Sequence, residues 1–225
     1  MKMKQIMLVN FKTYKESTGK NALKLARICN EISRKKKIGI IVCVQAADIN
    51  PISKRVSIPV FAQHADYFEQ ARSTGFILPE DIKDEGAGGT LLNHSEHRIP
   101  FETIKKTVER CKNINIKTVV CAASLQEVKK IIKLKPYCIM FEDPELVSTG
   151  RSITKIEPKA VKKFADIVKN HNKNSKTKII SLCGAGISNK EDVKLALKLG
   201  CDGVGIASAI VKAKNKRKKI LELLA

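Results

Sequence analysis

Short apolar runs alternate with longer amphipathic stretches along the whole chain, and this alternation restricts the fold more than any other feature. Strand-like runs cover Gln5 to Asn10, Gly39 to Val44, Ile58 to Gln63, Gly89 to Asn93, Lys117 to Ala122, Tyr137 to Glu142, Lys178 to Cys183 and Gly203 to Ala207. Helical periodicity covers Gly19 to Lys35, Phe101 to Cys111, Ser124 to Leu134, Pro158 to His171, Asn189 to Leu199 and Lys216 to Leu224, with a shorter segment over Pro79 to Glu85. The runs VVCA, CIMFE and IISLC are apolar nearly throughout, as in a parallel sheet covered on both faces. Eight such units predict an α/β fold, a closed (β/α)8 barrel. An open doubly wound sheet is the alternative. At 225 residues the chain is shorter than the ~250 typical of the barrel, so abbreviated helices are expected after the second and third strands. Without a linker, a low-complexity segment or an internal repeat, residues 1–225 read as a single barrel domain.

Composition narrows the function classes. The chain carries 43 Lys and Arg against 22 Asp and Glu, a formal charge of +21. Aromatic residues make up only 4% and Trp is absent, which argues against base stacking on single-stranded nucleic acid. The densest basic runs, Arg34 to Lys37 and Lys212 to Lys219, lie at or between helix ends and read as solvated faces. Nonspecific attraction to polyanions and to anionic metabolites follows in any case. No apolar run is long enough to span a bilayer, and the stretch before Asn10 is too short for a signal-peptide core. Seven cysteines without a C-x-x-C pair fit a reducing cytoplasm. His94 and His97 lie outside any H-E-x-x-H pattern, so neither a metal nor a cofactor is expected.

In a barrel of this kind the reacting groups gather at the carboxyl ends of the strands. Asn10 and Lys12 follow the first strand, His94 and Glu96 the fourth, Glu142 closes the sixth, Gly184 and Gly186 follow the seventh, and Ala207 and Ser208 the eighth. Each alone is as well explained by a surface charge or a helix cap, but together they place a carboxylate, an imidazole and an ammonium at one mouth. The small residues of CGAGIS (Cys183 to Ser188) and GVGIAS (Gly203 to Ser208) let backbone N–H groups approach an anion. A small phosphate-bearing substrate follows. Asn189 breaks a G-x-G-x-x-G fingerprint, and no G-x-S-x-G nucleophile turn is present.

The segments NFKTY (Asn10 to Tyr14), VFAQH (Val60 to His64), STG (Ser73 to Gly75), GTLLNHSEHR (Gly89 to Arg98), EDPELVSTG (Glu142 to Gly150), CGAGIS and VKAKN (Val211 to Asn215) resemble, in order, those of the triosephosphate isomerases, especially the short archaeal form of this TIM-barrel family. The resemblance implies cofactor-free interconversion of glycerone phosphate and D-glyceraldehyde 3-phosphate. It implies Glu142 as the base, His94 as the donor to the carbonyl oxygen, Lys12 as a fixed charge, Asn10 as a positioning group and Glu96 as a partner of Lys12. Substrate binding would fall to Asn10, Phe11, Lys12, Val147, Ser148, Gly186, Ala207 and Ser208, with Glu142 to Gly150 as a mobile lid. Thr74 would reach a neighbouring subunit, implying a homodimer at least, and a tetramer as in many archaeal relatives. Asp143, Val147 and Ser148 depart from the archaeal lid pattern E-P-P-E-L-I-G-T-G, and Gly205 stands where a leucine helps to clamp the base. These departures predict a wetter cage and a slower isomerase, with Gly205→Leu expected to raise kcat. A polyanion binder that kept the barrel, or another phosphate-handling barrel enzyme, are the competing readings.

Overall fold

The computed structural model describes residues 5–224, so the first four residues and Ala225 lie outside the described region. Eight strands run β1 Ile6–Asn10, β2 Gly39–Val44, β3 Val60–Ala62, β4 Gly89–Leu92, β5 Lys117–Ala122, β6 Cys138–Phe141, β7 Ile180–Cys183 and β8 Gly203–Ile206. All pair in parallel with their sequence neighbours, and β8 returns to β1 with Leu8 opposite Gly205, closing the barrel. The helices are α1 Lys20–Lys36, α2 Ile49–Ser53, α3 Pro79–Asp84, α4 Phe101–Asn113, α5 Leu125–Ile131, α6 Ile153–Ile156, α7 Pro158–Asn174, α8 Lys190–Lys198, α9 Ser208–Val211 and α10 Lys216–Glu222. The closed barrel is the expected fold, and the short α2 and α3 are the abbreviated helices after the second and third strands.

Two apolar layers follow from the period of two along each strand. Inward-facing residues such as Leu8, Phe61, Leu91 and Met140 fill the barrel, while their neighbours, such as Val9, Leu92 and Phe141, pack outward against the helices. In α1 the outer layer is met by Ala22, Leu25, Ala26, Cys29 and Ile32, the one-sided spacing of an amphipathic helix. Its last turn carries Arg34, Lys35 and Lys36, where cations complement the helix dipole, and Lys37 ends it in the left-handed region at φ 54°. Arg217 of α10 pairs with Glu31 of α1, so part of each dense basic run is a helix terminus or a surface ion pair.

Local capping agrees with the sequence in outline and differs in detail. Ser124 accepts from Glu127 N at 3.2 Å, but the Glu127 carboxylate accepts from Ala123 N, one residue before the position a reciprocal capping box uses. All seven cysteines are unpaired and buried. Burial pushes the Cys29 and Cys111 thiols up to about 12.

Candidate active site

The carboxyl ends of the strands surround a cavity of about 310 Å³. Asn10, Lys12, His94, Glu142, Val147, Ser148, Gly186, Ala207 and Ser208 all line it. Among the residues to which the resemblance assigns catalysis or substrate binding, two do not. Phe11 is fully buried in the outer apolar layer, because its backbone N–H still donates to Cys43 O and the alternation turns its side chain away from the mouth. Glu96 lies over half exposed and borders an adjoining cavity with His64, His97 and Gln63. Its carboxylate nevertheless meets the site through Lys12, with Nζ 2.7 Å from Oε1.

Each central side chain is fixed by the loop that follows its strand. Lys12 sits at φ 50° two residues after the end of β1, where its N–H donates to Asn10 Oδ1 at 3.0 Å and its carbonyl accepts from Gln63 Nε2 at 2.9 Å. That brace buries the lysine to 8% exposure. The Lys12–Glu96 pair has one exposed partner and is worth at most ~1 kcal/mol, so it aims the ammonium more than it stabilises the fold. Asn93, at φ 60°, donates to Cys121 O at 3.0 Å and accepts from Ile99 N at 3.1 Å, which rigidifies the turn presenting His94.

The ring of His94 is oriented by the chain itself. Glu96 N lies 3.1 Å from Nδ1, and a backbone N–H can only donate. Nδ1 therefore presents its lone pair and the ring proton sits on Nε2, on the cavity side. Nε2 is 3.6 Å from Glu142 Oε1. Glu142 is 4% exposed, its N–H donates to Ala122 O at 3.1 Å, and Oε1 has no hydrogen-bond partner among the described residues. Burial pushes the Cys121 thiol well above its ordinary range, and the charge of the nearby Glu142 carboxylate adds to this.

The residues of the expected lid, Glu142 to Gly150, are fixed by local hydrogen bonds. Asp143, one of the departures from the archaeal lid pattern, accepts from Glu145 N at 2.9 Å and caps the short turn Pro144–Leu146. Ser148 takes φ 64°, so the backbone holds a glycine-like conformation in spite of its side chain, at a cost of roughly 1–2 kcal/mol. Its Oγ lies 3.4 Å from Lys12 Nζ. The far end of the lid is pinned where Ile153 N donates to Ala185 O at 3.2 Å and Lys155 Nζ meets the buried Asp192 at 2.8 Å. Left-handed Lys12, Asn93, Ser148 and Ala185 thus concentrate at this one rim, a common mark of functional strain.

Sequence reasoning missed Gln63, whose only signal is a polar residue at the end of an apolar run, and Met140, which reads as core. A buried carboxylate with a free oxygen, a proton-bearing imidazole nitrogen and an ammonium around one cavity can remove a proton next to a carbonyl and hold the oxyanion that results.

Comparison with known proteins agrees with that chemistry. The family model described as triosephosphate isomerase matches residues 5–224. The chain is 43% identical to the triosephosphate isomerase of Methanocaldococcus jannaschii over 97% of its own length and 98% of that protein. It is 41% identical to the one from Sulfolobus acidocaldarius, covering 96% of the chain and 91% of the relative. For that of Methanobacterium bryantii the figures are 40%, 98% and 96%. With a closed eight-stranded barrel and matches of this extent, the chain belongs to the triosephosphate isomerase family.

Proposed function

We propose that this chain interconverts glycerone phosphate and D-glyceraldehyde 3-phosphate through an enediolate, a reading supported by relatives that are triosephosphate isomerases. The observation that carries the residue roles is the facing of Glu142 Oε1 and His94 Nε2 across 3.6 Å in a buried site. Glu142 takes the proton from the carbon beside the carbonyl and returns it to the neighbouring carbon. His94 donates through Nε2 to the carbonyl oxygen, and Lys12, aimed by Glu96, offsets the charge of the phosphate and of the enediolate. Asn10 fixes the Lys12 backbone. Gly186, Ala207 and Ser208 border the phosphate end, and the segment from Glu142 to Gly150, with Val147 and Ser148 facing inward, closes to exclude water.

The test is a coupled assay of glyceraldehyde 3-phosphate conversion, with Glu142→Gln prepared in parallel. Removing a general base costs about 10²–10⁴-fold, so kcat should fall at least about 10²-fold in the variant while the fold persists. A variant as fast as the parent sinks the assignment.

The remaining expectations belong to the same reading. We propose that residues 1–225 act as one barrel domain, and that the chain works in the cytoplasm, supported by seven unpaired thiols. We also propose a homodimer or larger assembly. Its support is the exposed Phe76, whose ring is tilted against Phe68 with centroids 4.0 Å apart, in the segment that carries Thr74. A sedimentation mass equal to one chain would refute it.

A further inference from the structure

Strand β6 directs Cys138 and Met140 to the barrel interior, and Glu142 follows on the same face two residues later. Met140 is 2% exposed and borders the cavity together with Leu8 and Gly205. A Cβ built on Gly205 would lie 2.3 Å from Met140 Sδ, with Cγ and Cε each 3.6 Å away. Real Cβ atoms do not come within 3.0 Å of a neighbour, so the thioether occupies the volume into which any side chain at position 205 would project. A Cβ on Gly184 would lie 3.0 Å from Glu142 Oε2, 3.5 Å from Glu142 Cβ and 3.6 Å from Met140 Sδ. The carboxylate and the thioether therefore border one gap, kept open by glycine on β8 and just after β7.

We propose that Met140 is the positioning residue of Glu142: its thioether, lying in the space left by Gly205, is the apolar wall that holds the carboxylate toward the substrate carbon and keeps water from beneath it. The inference rests on Glu142 being the base. It replaces the expectation that Gly205 leaves the cage open, because the volume missing on β8 is supplied from β6. A large side chain on one strand set against glycine on another conserves volume, and unbranched methionine can extend into a gap of this shape. For the same reason Gly205→Leu is now expected to harm the enzyme: leucine would have to displace the sulfur.

The experiment measures kcat, KM and thermal unfolding for Met140→Ala, Met140→Leu, Met140→Gln, Gly205→Leu, the double variant Met140→Ala/Gly205→Leu, and Glu142→Gln. Met140→Ala should lose at least about tenfold in kcat with KM changed less than about twofold, as misorientation of a catalytic group does. Met140→Leu should recover most of that loss. Met140→Gln, of similar length but polar, should not. Gly205→Leu should be impaired alone and improved when Met140 is Ala, since the double variant moves the wall from β6 to β8. Parent-like kcat in Met140→Ala, equal turnover in the Leu and Gln variants, or additive losses in the double variant would each overturn the proposal. Glu142→Gln separates the two levels. Activity surviving there overturns the base assignment and this inference with it, whereas loss there beside full activity in Met140→Ala overturns the role of Met140 alone.

Discussion

Replacing Gly186 by alanine should disable the lid without unfolding the barrel. Gly186 takes φ +68° in the turn after β7, and a Cβ there would stand 1.9 Å from Arg151 O, 2.4 Å from Arg151 C and 2.9 Å from Ser152 N. All three are backbone atoms at the far hinge of the lid, so no side chain can swing aside. The Arg151–Ser152 peptide must retreat by about 1 Å even to reach the tightest tolerated contact. That movement pulls against the bond from Ile153 N to Ala185 O, which ties this segment to the turn after β7. The left-handed backbone adds roughly 1–2 kcal/mol of strain and the overpacking about 1–3 kcal/mol. For a chain of this size each kcal/mol lowers Tm by about 2–4 °C, so the variant remains folded at assay temperature if the parent has an ordinary margin. Displacing a closing element by ~1 Å costs on the order of 10²-fold, so kcat/KM should fall by about that factor. The coupled assay reads the loss and a thermal melt reads the stability. Gly19→Ala is the control, having a positive φ of +55° with nothing within 4 Å of its Cβ, and should cost stability but little activity. A Gly186→Ala enzyme within twofold of the parent in kcat/KM would refute the reasoning.

Two further outcomes follow from the same rim. Ser148→Gly should raise stability by about 1 kcal/mol by relieving the φ 64° backbone, and a melt that falls instead would give the Ser148 to Lys12 contact more weight than its 3.4 Å suggests. Burial acts to raise the Asp192 carboxyl, but Lys155 and the N–H groups of Ser188 and Asn189 prevail and hold it below its ordinary 3.8. A lowered folded pKa stabilises above the unfolded value and is lost as pH falls through the folded one, so the Tm gap between the parent and Asp192→Asn should be full near pH 7 and should narrow progressively below about 3.8. A gap that is constant with pH would contradict the assignment.

The fold was legible where the chain repeats one pattern and obscure where geometry replaces pattern. β2 and β5 fall on the expected residues because their apolar runs end abruptly. β3 shortens from Ile58–Gln63 to Val60–Ala62: Pro59 has no N–H for the ladder, and the strand stops before Gln63 although the Gln63 N–H still donates to Val44 O. α7 runs three residues past His171, to Asn174, through polar residues that carry no periodicity. α2, α6 and α9 are too short for any helical pattern to register. At the site, Asn10, Lys12, His94 and Glu142 stood out as polar residues at the ends of apolar strands. Phe11 was credited with a contact that strand alternation denies it. Met140 is invisible in sequence, because a methionine in an apolar strand resembles any core residue until the barrel brings Gly205 against it.

The buried cysteines make the folded chain its own reporter. Only a thiolate reacts readily with alkylating reagents, and burial holds Cys29 and Cys111 near 12 and raises Cys43, Cys121 and Cys138, while Cys183 is raised by its contact with Cys201 and by burial. They are also distributed over the barrel wall and its helical coat, from α1 and α4 to β2, β5, β6 and β7. Modification therefore waits on opening of the local structure, and mapping which cysteine is tagged first, and how soon, would chart the order in which the barrel comes apart.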